Sequence, residues 1–170
     1  MKWIGAILFI LTTTWVGFEW SQSLTRRPKQ IRQLKNALQI LEAEILYSQL
    51  PLRDAFLTIS NQIPDPTKSF FLQLAEEMTT NNNDFGSIWK NSVDSYISKS
   101  SLNQTEKEIL IQFGQTLGQH DFTQQQKHIQ LTLHHLEREL QEAIDNHYKY
   151  SNMAKTLGFL CGIFIVLLLI

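Results

Sequence analysis

Apolar residues occur along this chain at two densities. From Trp3 to Phe18 and from Leu157 to Ile170 they are nearly continuous, whereas between these runs they recur every three or four positions in a polar background. Continuous runs of this kind predict membrane helices. Each is slightly short of the roughly 20 residues that span a bilayer, and the polar Thr12–Thr14 within the first and Met153–Thr156 before the second must be counted to approach that length. Three- and four-residue spacing predicts amphipathic helices with one buried face. The expected fold is all-α: an N-terminal membrane helix over residues 1–24, a soluble six-helix bundle over 25–152, and a C-terminal membrane helix over 153–170.

Inside the bundle, Ile31, Leu34, Leu38, Leu41 and Ile45 form a stripe on a helix from about Pro28 to Gln49. Pro51 opens the second helix, with Leu52, Ala55, Phe56 and Ile59 facing inward. Asp65-Pro66 supplies a cap and a first-turn proline for the third, whose inner face is Phe70, Phe71, Leu74, Ala75 and Met78. Thr80–Asn83 interrupts the pattern and Asp84 caps the fourth helix, with Phe85, Ile88, Trp89, Val93, Tyr96 and Ile97 on its apolar side. Thr105 and Glu108 have capping-box spacing ahead of Ile109, Leu110, Phe113 and Leu117, and Gly118 offers a left-handed stop. The last helix opens at Asp121 and buries Ile129, Leu133, Leu136, Leu140 and Ile144. Neither proline nor glycine falls between Asp121 and Lys155, so it is expected to run unbroken to Ile170, about 75 Å at 1.5 Å per residue.

Charge adds an orientation. The formal net charge is −1, which gives no global case for nucleic-acid binding. Arg26, Arg27, Lys29, Arg32 and Lys35, however, follow the first apolar run with no acid among them. A Lys/Arg excess marks the cytoplasmic flank of a span, so the bundle is expected in the cytoplasm and the first span is expected to stay uncleaved. Thr13 and Gly17 in the first run, and Ala154, Gly158 and Gly162 in the second, are small residues at helical spacing that let membrane helices pack closely. The single cysteine, Cys161, excludes an intrachain disulfide.

Catalytic patterns do not emerge. His120, His128, His134, His135 and His147 include no pair four apart with a base between, and no nucleophile elbow or phosphate loop is present. The expectation is no enzyme, no cofactor and no metal, with membrane lipids and other proteins as partners. Three runs carry more detail than solubility demands: Arg27 through Arg32 to Glu42 and Glu44; Gln112–Gly118 with Gly114 and Gly118; and Lys127-His128 through Arg138. Glycine inside a helix costs about 1 kcal/mol against alanine, so Gly114 suggests close approach of another helix. These nine residues are the candidate partner interface.

The same runs resemble the stage III sporulation protein AB family of endospore-forming bacteria. The likeness spans the chain: Gly17-Phe18-Glu19, Arg27 to Leu34, Leu41 to Tyr47, Leu50-Pro51-Leu52, Gln112 to Gly118, Lys127-His128-Ile129, Leu136 to Glu139 and Lys155 to Gly158. It implies a place in the mother-cell membrane around the forespore, in a secretion-like channel complex that includes a cytoplasmic ATPase and ring-forming proteins. It also implies a bundle similar to the cytoplasmic domain of type II secretion platform proteins, with no catalytic residues to transfer. A membrane-tethered adaptor or regulator of a soluble client has the same architecture and stays open at this point.

Overall fold

The computed structural model describes residues 25–80, 84–117 and 122–169. Those residues form six helices and no strand: α1 over 25–43, closed by a π-helical turn Glu44–Ser48; α2 Leu52–Gln62; α3 Thr67–Thr80; α4 Phe85–Lys99; α5 Gln104–Thr116; and α6 Phe122–Leu169. The chain divides into two compact units, Lys29–Gln141 and the ends Met1–Pro28 with Glu142–Ile170. The expected six-helix bundle is the first unit. Thr13, Gly17, Gly118 and Asp121 lie outside the described residues.

The stripe on α1 is buried as its spacing predicts: Ile31, Leu34, Leu38 and Leu41 have no exposed surface and Ile45 has almost none. Its end differs from expectation. The α-helix gives way to a π-turn at Glu44, and Gln49 stops it in the left-handed region at φ 50°. Gln49 and Leu50 both donate backbone N–H groups to the Glu44 carbonyl. This non-glycine stop costs on the order of 1 kcal/mol. Pro51 behind it has no N–H with which to continue the helix.

α2 packs on α3, α3 on α4 and α4 on α5, so neighbours in sequence are neighbours in space. Trp89 on α4 is the centre of this packing. Its ring lies 6.2 Å from Phe56, 5.5 Å from Phe70, 5.9 Å from Phe85 and 5.8 Å from Phe113, centroid to centroid. Aromatic pairs at such separations add stabilisation beyond their buried area. Phe70 stacks in turn on Tyr96 at 4.8 Å.

Helix starts depart from the sequence reading in detail. The box that opens α5 uses Asn103 and Glu106, two residues earlier than Thr105 and Glu108. Asn103 Oδ1 accepts from the N–H groups of Thr105 and Glu106, and Glu106 Oε2 accepts from Asn103 N at 2.7 Å. Asparagine is a stronger cap than threonine. The fully buried Glu106 faces the helix start, whereas exposed Glu108 accepts from Gln104 instead. Asp84 stands at the N-cap of α4 without a side-chain cap bond. Asp65, in a cis peptide with Pro66, accepts from the Ser69 hydroxyl at 2.6 Å. On α6, Leu133 and Ile144 are only half-buried, and the buried face is Ile129, Thr132, Leu136, Glu139, Leu140 and Ala143.

Candidate interaction surface

Polar groups in the interior hold helices to one another. Thr67 on α3 is fully buried. Its hydroxyl donates to Gln33 Oε1 of α1 at 3.4 Å and is joined to the Tyr96 hydroxyl of α4 at 2.9 Å. Burial pushes the Tyr96 phenol up to about 12, with the Thr67 hydrogen bond opposing the shift. α1 and α6 share two polar clasps: Lys35 pairs with Glu137, and Glu42 Oε1 accepts from Gln126 at 3.4 Å and Gln130 at 3.2 Å. Lys107 of α5 pairs with Asp94 of α4 at 2.8 Å.

The nine candidate partner residues separate into distinct environments. Gly114 is buried beneath Trp89. A methyl group there would overlap the indole atoms Cδ1, Nε1 and Cγ. The indole N–H donates to the Leu110 carbonyl at 2.7 Å, four residues before Gly114 on the same helix. The close approach that the glycine suggested is therefore made by α4 of this chain. Glu42 is half-buried in its clasp, Arg27 is half-buried and already engaged, and Glu44 begins the π-turn. His128 is half-exposed. It lines a shallow depression with Phe113, Thr116, Leu117, Gln125 and Ile129 that leaves no room for a water molecule. Arg32, Lys127 and Arg138 face solvent, the last donating to Glu139 at 3.3 Å. Ala154, Gly158 and Gly162 fall within α6, and their side-chain surroundings lie outside the described residues.

Two exposed hydrophobic groups escaped the sequence reading. Tyr47, 85 % exposed, projects from the π-turn, and Leu131, 54 % exposed, stands on α6 between Lys127 and Arg138. Lys127, Leu131, His134 and Arg138 are spaced by four, three and four residues and are all exposed. On a helix they form one straight row. The sequence held a signal for it: once Ile129, Leu136 and Leu140 take the inner face, Leu131 falls outside. A row with Lys127 and Arg138 at its ends and an apolar knob between them has the chemistry to receive an acidic amphipathic helix. Among the described residues no group of three His, Cys, Asp or Glu side chains is placed to hold a metal, and no helix is long and apolar enough to cross a membrane.

The architecture places the chain among all-α helical-bundle proteins. The family model for stage III sporulation protein AB matches residues 2–170, and the chain belongs to that sporulation family. It is 41 % identical over 169 residues to stage III sporulation protein AB of Bacillus subtilis (strain 168), covering 99 % of both chains. A solved structure of stage III sporulation protein AB (SpoIIIAB) superposes with a TM-score of 0.68 at 40 % identity, covering 72 % of this chain and 97 % of that one.

Proposed function

We propose that this chain is a non-enzymatic, membrane-anchored scaffold in a channel-like complex linking mother cell and forespore during sporulation. The reading places the bundle on the cytoplasmic side, in the mother-cell membrane around the forespore, with a cytoplasmic ATPase among its neighbours. The apolar runs at residues 3–18 and 157–170 serve as its anchors, and the Lys/Arg excess at 26–35 sets its orientation. The observation that carries the scaffold role is the exposed row Lys127, Leu131, His134 and Arg138 in a protein whose family is a sporulation family. The row supplies an anchor side chain and a charge pattern, the two components of a protein-docking surface. The buried polar groups Gln33, Thr67, Tyr96 and Glu106, by contrast, are engaged in helix-to-helix bonds and a cap, which supports a structural role for them.

The test is affinity isolation of the tagged full-length chain from sporulating cells. Wild type is expected to bring down ring-forming membrane proteins and a cytoplasmic ATPase. Leu131→Asp combined with Arg138→Glu is expected to lose them while the chain keeps its thermal transition. Equal recovery of these proteins with the double variant refutes the docking row. Recovery of a single soluble client in their place refutes the scaffold reading in favour of an adaptor. Orientation is checked separately by labelling Ser98→Cys, an exposed position on α4, in intact cells in a Cys161→Ala background. An impermeant reagent is expected not to reach it until the membrane is opened.

A further inference from the structure

The first turns of α1 carry cations that the bundle leaves unused. Of Lys29, Arg32 and Lys35, only Lys35 is drawn into the fold, by Glu137. Lys29 and Arg32 are exposed, as is Arg26 three residues earlier on the same helix, and Lys29 and Arg32 meet no ion-pair partner among the described residues. No acid occurs in the sequence from Thr25 to Leu41. The exposed positions farther along α1 are neutral: Asn36, Gln39 and Ala43. Lys29 and Arg32 are thus the exposed cations of α1 within the bundle unit.

We infer that Lys29 and Arg32 bind the anionic phosphate headgroups of the membrane surface and so hold the bundle against it. The inference rests on the anchoring reading above. Two observations favour lipid over an acidic protein. The cations lie a short way along the sequence from the apolar run that ends at Phe18. No large hydrophobic side chain is exposed among the described residues before Tyr47, so this stretch of α1 lacks the anchor that protein partners use. A headgroup layer needs only charge. Long cationic side chains also keep their ammonium or guanidinium in the polar layer while their methylenes lie along apolar surface.

The test uses the full-length chain in neutral detergent micelles, with phosphatidylglycerol or phosphatidylcholine added at equal concentration and bound lipid read by native mass spectrometry. Wild type is expected to hold phosphatidylglycerol in preference. Lys29→Gln and Arg32→Gln are each expected to weaken that binding by about fivefold and to leave phosphatidylcholine unchanged. Because both positions are exposed, the variants are expected to melt with wild type. Equal binding of the two lipids, or no effect of the substitutions, overturns the inference. So does a soluble polyglutamate that displaces phosphatidylglycerol at matched ionic strength, which would assign the surface to an acidic protein. Alkaline carbonate washing of cell membranes separates the two levels of failure. Wild type released from the membrane overturns the anchoring reading, whereas wild type retained without lipid preference overturns only this inference.

Discussion

Gly114→Ala is expected to destabilise this protein, against the usual direction for glycine in a helix. On propensity alone the change gains about 1 kcal/mol. Here the new methyl meets Trp89 Cδ1, Nε1 and Cγ, the wide face of a rigid ring rather than the tip of a flexible chain. The indole must move, and it is enclosed by Phe56, Phe70, Phe85 and Phe113. Overfilling a packed core costs about 1–3 kcal/mol. Moving the ring also breaks the 2.7 Å bond from its N–H to the Leu110 carbonyl, and a buried donor left without a partner costs about 1–3 kcal/mol more. After the propensity gain, the net loss is about 1–5 kcal/mol. For a chain of this length that lowers Tm by about 3–15 °C. The assay is thermal unfolding of the full-length chain in detergent, followed by circular dichroism. Trp89→Phe in the same background separates crowding from other causes: it vacates the space above Gly114, so the double variant should lose less than the sum of the singles. A Gly114→Ala chain that melts above wild type, with additive double-variant energies, refutes the argument.

Four further outcomes follow from the same bonds. Asn103→Ala removes the side-chain half of the α5 capping box and is expected to cost about 1–2 kcal/mol in the same melt, whereas Thr105→Ala, at the position the sequence suggested, should change little. Ser92→Ala is expected to be neutral or mildly stabilising, because the buried Ser92 hydroxyl has no hydrogen-bond partner to lose. Tyr96 is held protonated in the fold up to about 12 but titrates near 10 when unfolded, so the native state retains the proton longer. Its contribution is full below pH 10 and is lost as pH rises from 10 through 12; Tyr96→Phe should flatten the decline of stability over that window when both chains are melted at a series of pH values. Arg32→Glu is expected to leave Tm within about 1 °C of wild type, since Arg32 is exposed and unpaired among the described residues; a larger fall would show that α1 uses it internally.

Periodicity alone located every described helix and most of the core. A residue that returns to the same face every three or four positions has only one way to leave water, so Ile31, Leu34, Leu38, Leu41 and Ile45 declare α1, and Phe70, Phe71, Leu74 and Ala75 declare α3. Residue type also marked Gly114 as a point of close approach, because an interior glycine has no other helical benefit. What composition and spacing left open was the partner. Trp89 is twenty-five positions away, and only the stacking of α4 on α5 brings its indole over that glycine. The same holds for Glu42 and Lys35, which read as a free charge pattern until α6 returns alongside α1 and supplies Gln126, Gln130 and Glu137. At the start of α5 two overlapping boxes satisfy the spacing rule, and burial of Glu106 decides between them. Sequence determined which surfaces leave water, because that depends on each helix alone. Tertiary packing decided which polar groups remain available to other molecules, because a charge is free only where no distant helix has come to meet it.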